Sequence, residues 1–361
     1  MKRNIPLLIL CLLMFTACGR DAAQLTVVTG IGVDGLPGEY QVAAEVIRLT
    51  GDQQSGQSTY LNGDGLTVTG SINRMVSKTG RTLYCNHTQI LMVSRDTAEQ
   101  DMKDLLEELI RGNQYPIALR LAVCKDSAAK ALQAKPIVSE LHSVELSDII
   151  REGAKQCLTP DADICSFYQE VSAPGIEGIL PFFSLQENNG EQVCALLGTA
   201  LFQSEHMLSV LDKMNSQTLM WMRGNSGGTL VTEHAVFDVE KVEKTMRATP
   251  QGGYLDLTLT LKASENEENK TELTKEAEAT MQAQCSALLQ RLQTLQCDAV
   301  GFGNDLYRRN QRAWNGLDRP WSELFSQYPI KVTVTVEHMI WGRIWSADGE
   351  QKLEGISYGE Q

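Results

Sequence analysis

Cysteine has the widest chemical scope of any residue type here, and one of the nine cysteines stands where its surroundings prescribe a reaction. Lys2 and Arg3 give a short positive start, Ile5 to Phe15 is an almost unbroken apolar run, and Thr16-Ala17 lead into Cys18. This is a signal segment of residues 1–17, too short for a confident spanning helix. A cysteine at its cut site reads as a lipobox: the Cys18 thiol is alkylated by a diacylglyceryl group, and cleavage makes it the new N-terminus. Two acyl chains hold far better than one, since each buried methylene adds about 0.8 kcal/mol. Phe15 replaces the usual leucine, whereas Thr16, Ala17 and the polar exit Gly19-Arg20-Asp21 fit. An ordinary cleaved signal, or an uncleaved anchor, is the plainer alternative. The lipobox reading leaves a water-soluble body tethered to the outer face of a membrane.

Little else in the chain suggests chemistry. His87, His142, His206, His234 and His338 have no neighbours at metal-ligand or general-base spacing. No nucleophile elbow, zincin helix or phosphate loop of the Walker type occurs. Thr29-Gly30-Ile31-Gly32 lacks the third glycine of a dinucleotide fingerprint and runs on into strand. Asp161 and Asp163, with Thr159 and Glu170, lack the spacing of a calcium loop and read as a solvated turn. Beyond Cys11 and Cys18 the cysteines are Cys85, Cys124, Cys157, Cys165, Cys194, Cys285 and Cys297, with no zinc spacing. Several lie in apolar runs, where a reduced thiol behaves as a small hydrophobe. Cys157 and Cys165 are the pair nearest in sequence should a bridge form. No catalytic residue, metal ligand or cofactor is expected, and no ligand-binding residue can be named.

The elements that would carry these residues alternate between strand and helix. Leu25 to Val33 and Tyr40 to Leu49 flank Gly35-Leu-Pro-Gly38 as a β-hairpin, and 51–65 reads as a polar glycine-rich loop. A helix over Ser71–Lys78 should stop at Gly80, with a strand over Leu83–Val93 behind it. Met102, Leu105, Leu106, Leu109 and Ile110 share a helix face, with Thr97 and Gln100 as its capping box and Gly112-Asn113 as its stop. Strand 118–124 and helices near 127–135 and 143–155 follow. Strands over Gly178–Leu185 and Gln192–Phe202 turn at Asn188-Asn189-Gly190, and Met207 to Met222 reads as helix. Strands at 229–233 and 235–248 precede an alternating strand with Leu255, Leu257, Leu259 and Leu261 on one face. After a charged loop from Glu265 to Lys270, the stripe Leu273, Ala277, Met281, Cys285, Leu288, Leu292 and Leu295 marks the longest helix, laid on that sheet. Ile330, Val332, Val334 and Val336 form a closing strand. Trp314 and Trp321 suit packing, and Trp341 and Trp345 suit an exposed contact patch. The fold class is α+β, with mixed and antiparallel sheets flanked by helices.

Composition sets further bounds. The chain has 361 residues, 42% hydrophobic and 21% charged, as in a folded globular protein, with length for two or three domains. Its formal charge of −13 would become more negative on loss of Lys2 and Arg3. No basic stripe suits nucleic acid, and an anionic bilayer would repel the body, so membrane contact rests on the lipid.

The order of these blocks resembles the Ger(x)C spore-germination lipoproteins, the C subunits of nutrient germinant receptors. The resemblance rests on the lipobox, Leu25-Thr-Val-Val-Thr-Gly-Ile-Gly-Val-Asp34, and His87 before strand Gln89–Ser94 with the Met102–Arg111 helix behind. It continues through Leu119-Arg-Leu-Ala-Val123, Ser127-Ala-Ala-Lys130 and Gly198-Thr-Ala-Leu-Phe202. Asp298-Ala-Val-Gly-Phe-Gly303, Leu306-Tyr-Arg308, Trp314, Trp321 and the last strand complete it. The family often has Trp-Asp after the cysteine and an acidic-apolar lead-in, where Gly19-Arg20-Asp21 and Ala22-Ala23-Gln24 stand here. The resemblance implies a three-domain α+β lipoprotein carrying palmitate on Cys18, divided as 18–197 (two α+β subdomains) and 198–361. It implies a non-enzymatic subunit on the outer face of the spore inner membrane, working through contacts with integral-membrane A and B subunits. A solute-binding lipoprotein serving a transporter is the alternative, disfavoured by the dissimilar halves. An envelope hydrolase is a third, lacking a visible base and nucleophile.

Overall fold

The computed structural model describes residues 25–48, 58–100, 102–112, 114–263 and 269–341. Cys18, the signal segment, Trp345 and most of the charged loop before Lys270 lie outside them. The elements in chain order are β1 (Leu25–Asp34), β2 (Tyr40–Arg48), β3 (Ser58–Gly65), α1 (Val68–Thr79), β4 (Thr82–Tyr84), β5 (Ile90–Ser94), α2 (Arg95–Ala98) and α3 (Lys103–Arg111). Then come β6 (Arg120–Cys124), α4 (Ala128–Leu132), α5 (His142–Lys155), α6 (Ile164–Ser172), β7 (Ile179–Asn188), β8 (Glu191–Gln203) and β9 (His206–Asp212). The remainder is α7 (Lys213–Met222), β10 (Thr229–Val231), β11 (Val236–Thr249), β12 (Gly252–Ala263), α8 (Lys270–Thr294), α9 (Phe302–Arg309), α10 (Gln311–Asn315), α11 (Trp321–Phe325) and β13 (Ile330–Trp341).

Two mixed sheets organise these elements, as the α+β reading expects. The first has nine strands in the order β3-β2-β1-β5-β6-β7-β8-β9, with β4 also pairing β1. Its centre, β1-β5-β6-β7, is parallel, and its flanks are antiparallel. Parallel strands covered on both faces read as continuous apolar runs, and Ile90–Ser94 is buried throughout. One face packs on α1, α3 and α6 through Met75, Leu106 and Phe167, and the other on α4 and α5 through Leu132, Leu146 and Ile150. The second sheet runs β10-β11-β12-β13, with β12 and β13 parallel. α8 buries Leu273, Ala277, Met281, Cys285, Leu288 and Leu292 against it. β8 and β9 run past residue 198 and complete the first sheet.

Several local expectations give way to tertiary context. Residues 58–65 form β3 rather than loop. Their glycines admit α1: a Cβ on Gly63 would come 2.6 Å from Ser71 O. The strand expected over 83–93 is two, separated by a turn in which Thr88 N donates to Cys85 O at 3.0 Å. Both pieces run parallel to β1. Thr97 and Gln100 do not cap α3; Ser94 caps the short α2, accepting from Thr97 N at 3.3 Å. The helix expected from Met207 begins only at Lys213, because Ser204 at φ 54° turns the chain into β9. Asp212 then caps α7 through Asn215 N at 2.8 Å. Asp163 is no free turn residue: with Ser166 it forms the capping box of α6, and Asp161 pairs with Arg120 at 2.9 Å.

Candidate functional site

The residues singled out by type disperse. His142 is buried with its Nδ1 3.0 Å from Leu132 O, whereas His234 is exposed beside Glu276 at 3.2 Å. Among the described residues no three His, Cys, Asp or Glu side chains gather to hold a metal. No described helix is long and apolar enough to cross a membrane. All seven described cysteines are free, Cys157 and Cys165 included. Burial pushes the thiols of Cys85, Cys157 and Cys285 up to about 12, which removes the thiolate that reactivity requires.

The acids are used instead as joints. In β1, Gly30 and Gly32 lie under helices: a Cβ on Gly30 would meet Ser143 Cβ at 2.6 Å, and one on Gly32 would meet Ala128 O at 2.7 Å. That close approach lets two carboxylates reach helix N-termini, where unpaired N–H groups and the helix dipole favour negative charge. Asp34 accepts from Ala128 N at 2.7 Å, Ala129 N at 3.1 Å and the Ser127 hydroxyl at 2.7 Å. Glu45, fully buried, accepts from His142 N at 3.0 Å, Ser143 N at 2.9 Å, Thr29 Oγ1 at 3.1 Å and the Tyr60 hydroxyl at 3.2 Å. Asp298 repeats the device at the start of α9, accepting from Gly301 N and Gly303 N at 2.8 Å each and from Trp321 Nε1 at 2.9 Å. Burial raises the Asp298 carboxyl, and these donors oppose the rise. Trp314 and Trp321 pack against the second core, their rings 5.8 Å apart.

Glu145 organises an outward loop in the same way. Its carboxylate accepts from Ile137 N at 2.8 Å, Val138 N at 2.7 Å and Ser139 N at 2.9 Å. The bonds fix the backbone while the Ile137 and Val138 side chains stand 65% and 89% exposed. Trp341, the other expected contact residue, is described only as the last residue of β13, and Trp345 lies outside the described residues.

A cleft lies where the two sheets meet. Arg223, just after α7, joins three segments: Nη1 to Glu170 at 2.7 Å, Nε to Ala299 O at 2.6 Å and Nη2 to Glu177 O at 3.2 Å. Beside it are two cavities of about 410 and 500 Å³, both lined by Ile176, Lys244 and Val300. Lys244 thus stands at their shared waist. Its stem lies on Gly224, whose φ of +90° suits glycine and where a Cβ would come 3.2 Å from Lys244 Cβ. No described residue hydrogen-bonds or ion-pairs with its amine. Burial first, then the nearby Arg223 charge, lowers the ammonium to about 8, although Asp298 and Asp305 pull upward. Glu177 shifts the other way: burial raises it to about 7 against the Ser204 N–H bond, with Asp298 and Glu205 adding to the rise. The sequence reading missed both groups. Lys244 does carry a signal, since Val242, Met246 and Ala248 at the same parity of β11 face inward.

The chain matches two family models nearly end to end. Residues 19–185 match the spore germination protein N-terminal domain, and residues 197–338 match the spore germination B3/GerAC-like C-terminal domain. Spore germination protein YndF of Bacillus subtilis (strain 168) is 20% identical over 312 residues, spanning 78% of this chain and 76% of that protein. The crystal structure of the GerBC protein shares the fold: TM-score 0.53 at 13% identity, covering 84% of this chain and 94% of that one.

Proposed function

The chain belongs to the GerAC-like family of spore germination proteins and has its role in germination, and from that premise we propose that it is a lipid-anchored, non-enzymatic C subunit of a nutrient germinant receptor. It sits on the outer face of the spore inner membrane, held by acyl groups on Cys18. It acts by touching integral-membrane A and B subunits. The observation that carries the reading is the match of both halves of the chain, in order, to the family's two domains. Two features support it. The acids Asp34, Glu45 and Asp298 are committed to helix N-termini, and burial suppresses the thiolates of Cys85, Cys157 and Cys285, which favours contact over turnover. The Glu145-held loop offers Ile137 and Val138 as a rigid apolar projection of the kind protein interfaces use.

The test is Cys18→Ala in spores. We expect the protein to leave the membrane fraction and germination with its nutrient to fall to the level of a deletion strain. Retention of the Cys18→Ala protein in washed membranes would overturn the anchor. A deletion strain that germinates normally with every nutrient would overturn the role in nutrient sensing.

A further inference from the structure

Beyond that role, and independently of it, we infer that the cleft at the sheet junction is a binding site for a small aliphatic monocarboxylate, with Lys244 receiving the carboxylate. Four observations converge. The two cavities meeting at Lys244 are each in the size range of small-molecule sites. The walls of the first are more hydrocarbon than polar, with Phe167, Ile179 and Met220, whereas the second adds Met246 but is mostly polar, with Asn304, Asp305, Arg308 and Arg309. A bare inorganic anion has no use for the first cavity's apolar wall, whereas a branched aliphatic chain buries against Phe167, Ile179 and Met220.

The charge pattern is the third observation. Every acid lining the cleft is already engaged: Glu170 by Arg223, Asp161 by Arg120, and Asp305 by Arg309 and by Ala248 N. Lys244 alone among the inward-facing residues of β11 carries a charge, and its amine bonds to no described residue. A partly buried ammonium without an acceptor is costly, and a carboxylate arriving in the cleft relieves that cost. The fourth is specificity of place. The whole chain carries a formal −13, so no general field draws anions to it and attraction must be local. The reduced proton affinity of Lys244, set by burial and Arg223, agrees with an ammonium lacking a counter-charge.

Calorimetry on the purified, detergent-solubilised full chain at pH 7 tests this, with isovalerate as probe and isovaleramide as its neutral isostere. We expect saturable isovalerate binding and at least about tenfold weaker binding of the amide. Lys244→Met should lose at least about tenfold in isovalerate affinity with unchanged circular dichroism, and Lys244→Arg should retain binding. Should Lys244→Met fold poorly, Lys244→Gln serves the same purpose. Equal affinity for acid and amide, wild-type affinity in Lys244→Met, or no saturable isovalerate binding would overturn the site. Binding of inorganic phosphate in preference to isovalerate would also overturn it. Because the readout is binding in solution, a negative result leaves the Cys18→Ala experiment intact, and the reverse holds too.

Discussion

Lys244 occupies an inward position that a hydrocarbon residue would fill more stably. Its neighbours are Arg223 at the end of α7, Asp298 before α9 and Asp305 within it, with Glu170 of α6 reaching in to Arg223. The ammonium is lowered from 10.5 to about 8. Between those values the unfolded chain holds a proton that the native chain has released, so the contribution of this group to stability rises with pH across the window. Below pH 8 the full penalty stands. Lys244→Met should therefore stabilise the protein at pH 7 by about 1–3 kcal/mol, with the gain shrinking from pH 8 toward 10.5. Urea unfolding across that range measures it, and a destabilised Lys244→Met at pH 7 would contradict the account. Glu177 has the opposite sign of pH dependence, in an acidic window. Raised to about 7, it makes the protein lose stability as pH climbs from about 4.5 to 7, and Glu177→Gln should flatten that slope. Sequence could show which residues were chemically able but not which were isolated. Val242, Met246 and Ala248 share the inward parity of Lys244, but a bulge between Val239 and Lys241 breaks its continuity with Phe237 and Val239, so the alternation does not run through the whole strand.

At the scale of elements, carboxylates and glycines act together. A glycine lets a helix settle on a strand, and an acid from the sheet then satisfies the helix N-terminus. Gly32→Ala should cost about 1–3 kcal/mol, because the new methyl would meet Ala128 O, a backbone atom with little freedom to yield. Gly38→Ala meets nothing within 4 Å and bears only the backbone penalty of φ +87°, about 1 kcal/mol. Equal losses in chemical denaturation would refute the packing argument. Elements with a strong period were legible: the β1–β2 hairpin, the stripe of α8, and the alternation of β12 and β13 all stand as expected. β3 and β9 were not. Glycines in β3 read as loop because their reason, α1 lying above them, is tertiary. The alternation of Met207 and Leu211 in β9 merged with the helical pattern of α7 behind it. The capping acids showed no such pattern at all, since Glu45 and the α5 amides it serves lie 97 residues apart in sequence.

Across the whole molecule the two sheets share one core: the cluster that includes Leu257, Leu259 and Met281 continues into Ile179, Leu201 and Leu211 of the first sheet. Arg223 pins that junction from outside. Arg223→Gln leaves Glu170 and two backbone carbonyls short of donors, and should cost about 1–3 kcal/mol while quickening proteolysis between residues 173 and 178. Unchanged cleavage there would show that the core alone fixes the junction. The strand order carries one more implication. A chain threaded through a translocation pore with its N-terminus leading can finish the first sheet once residue 212 is out. β12, however, waits for a neighbour whose first residue is 330, because a parallel partner needs a long crossover. On the export route proposed above, the apolar flank of β12 would stay unguarded longest, so chaperones outside the pore, and proteases competing with them, should find this stretch their principal target.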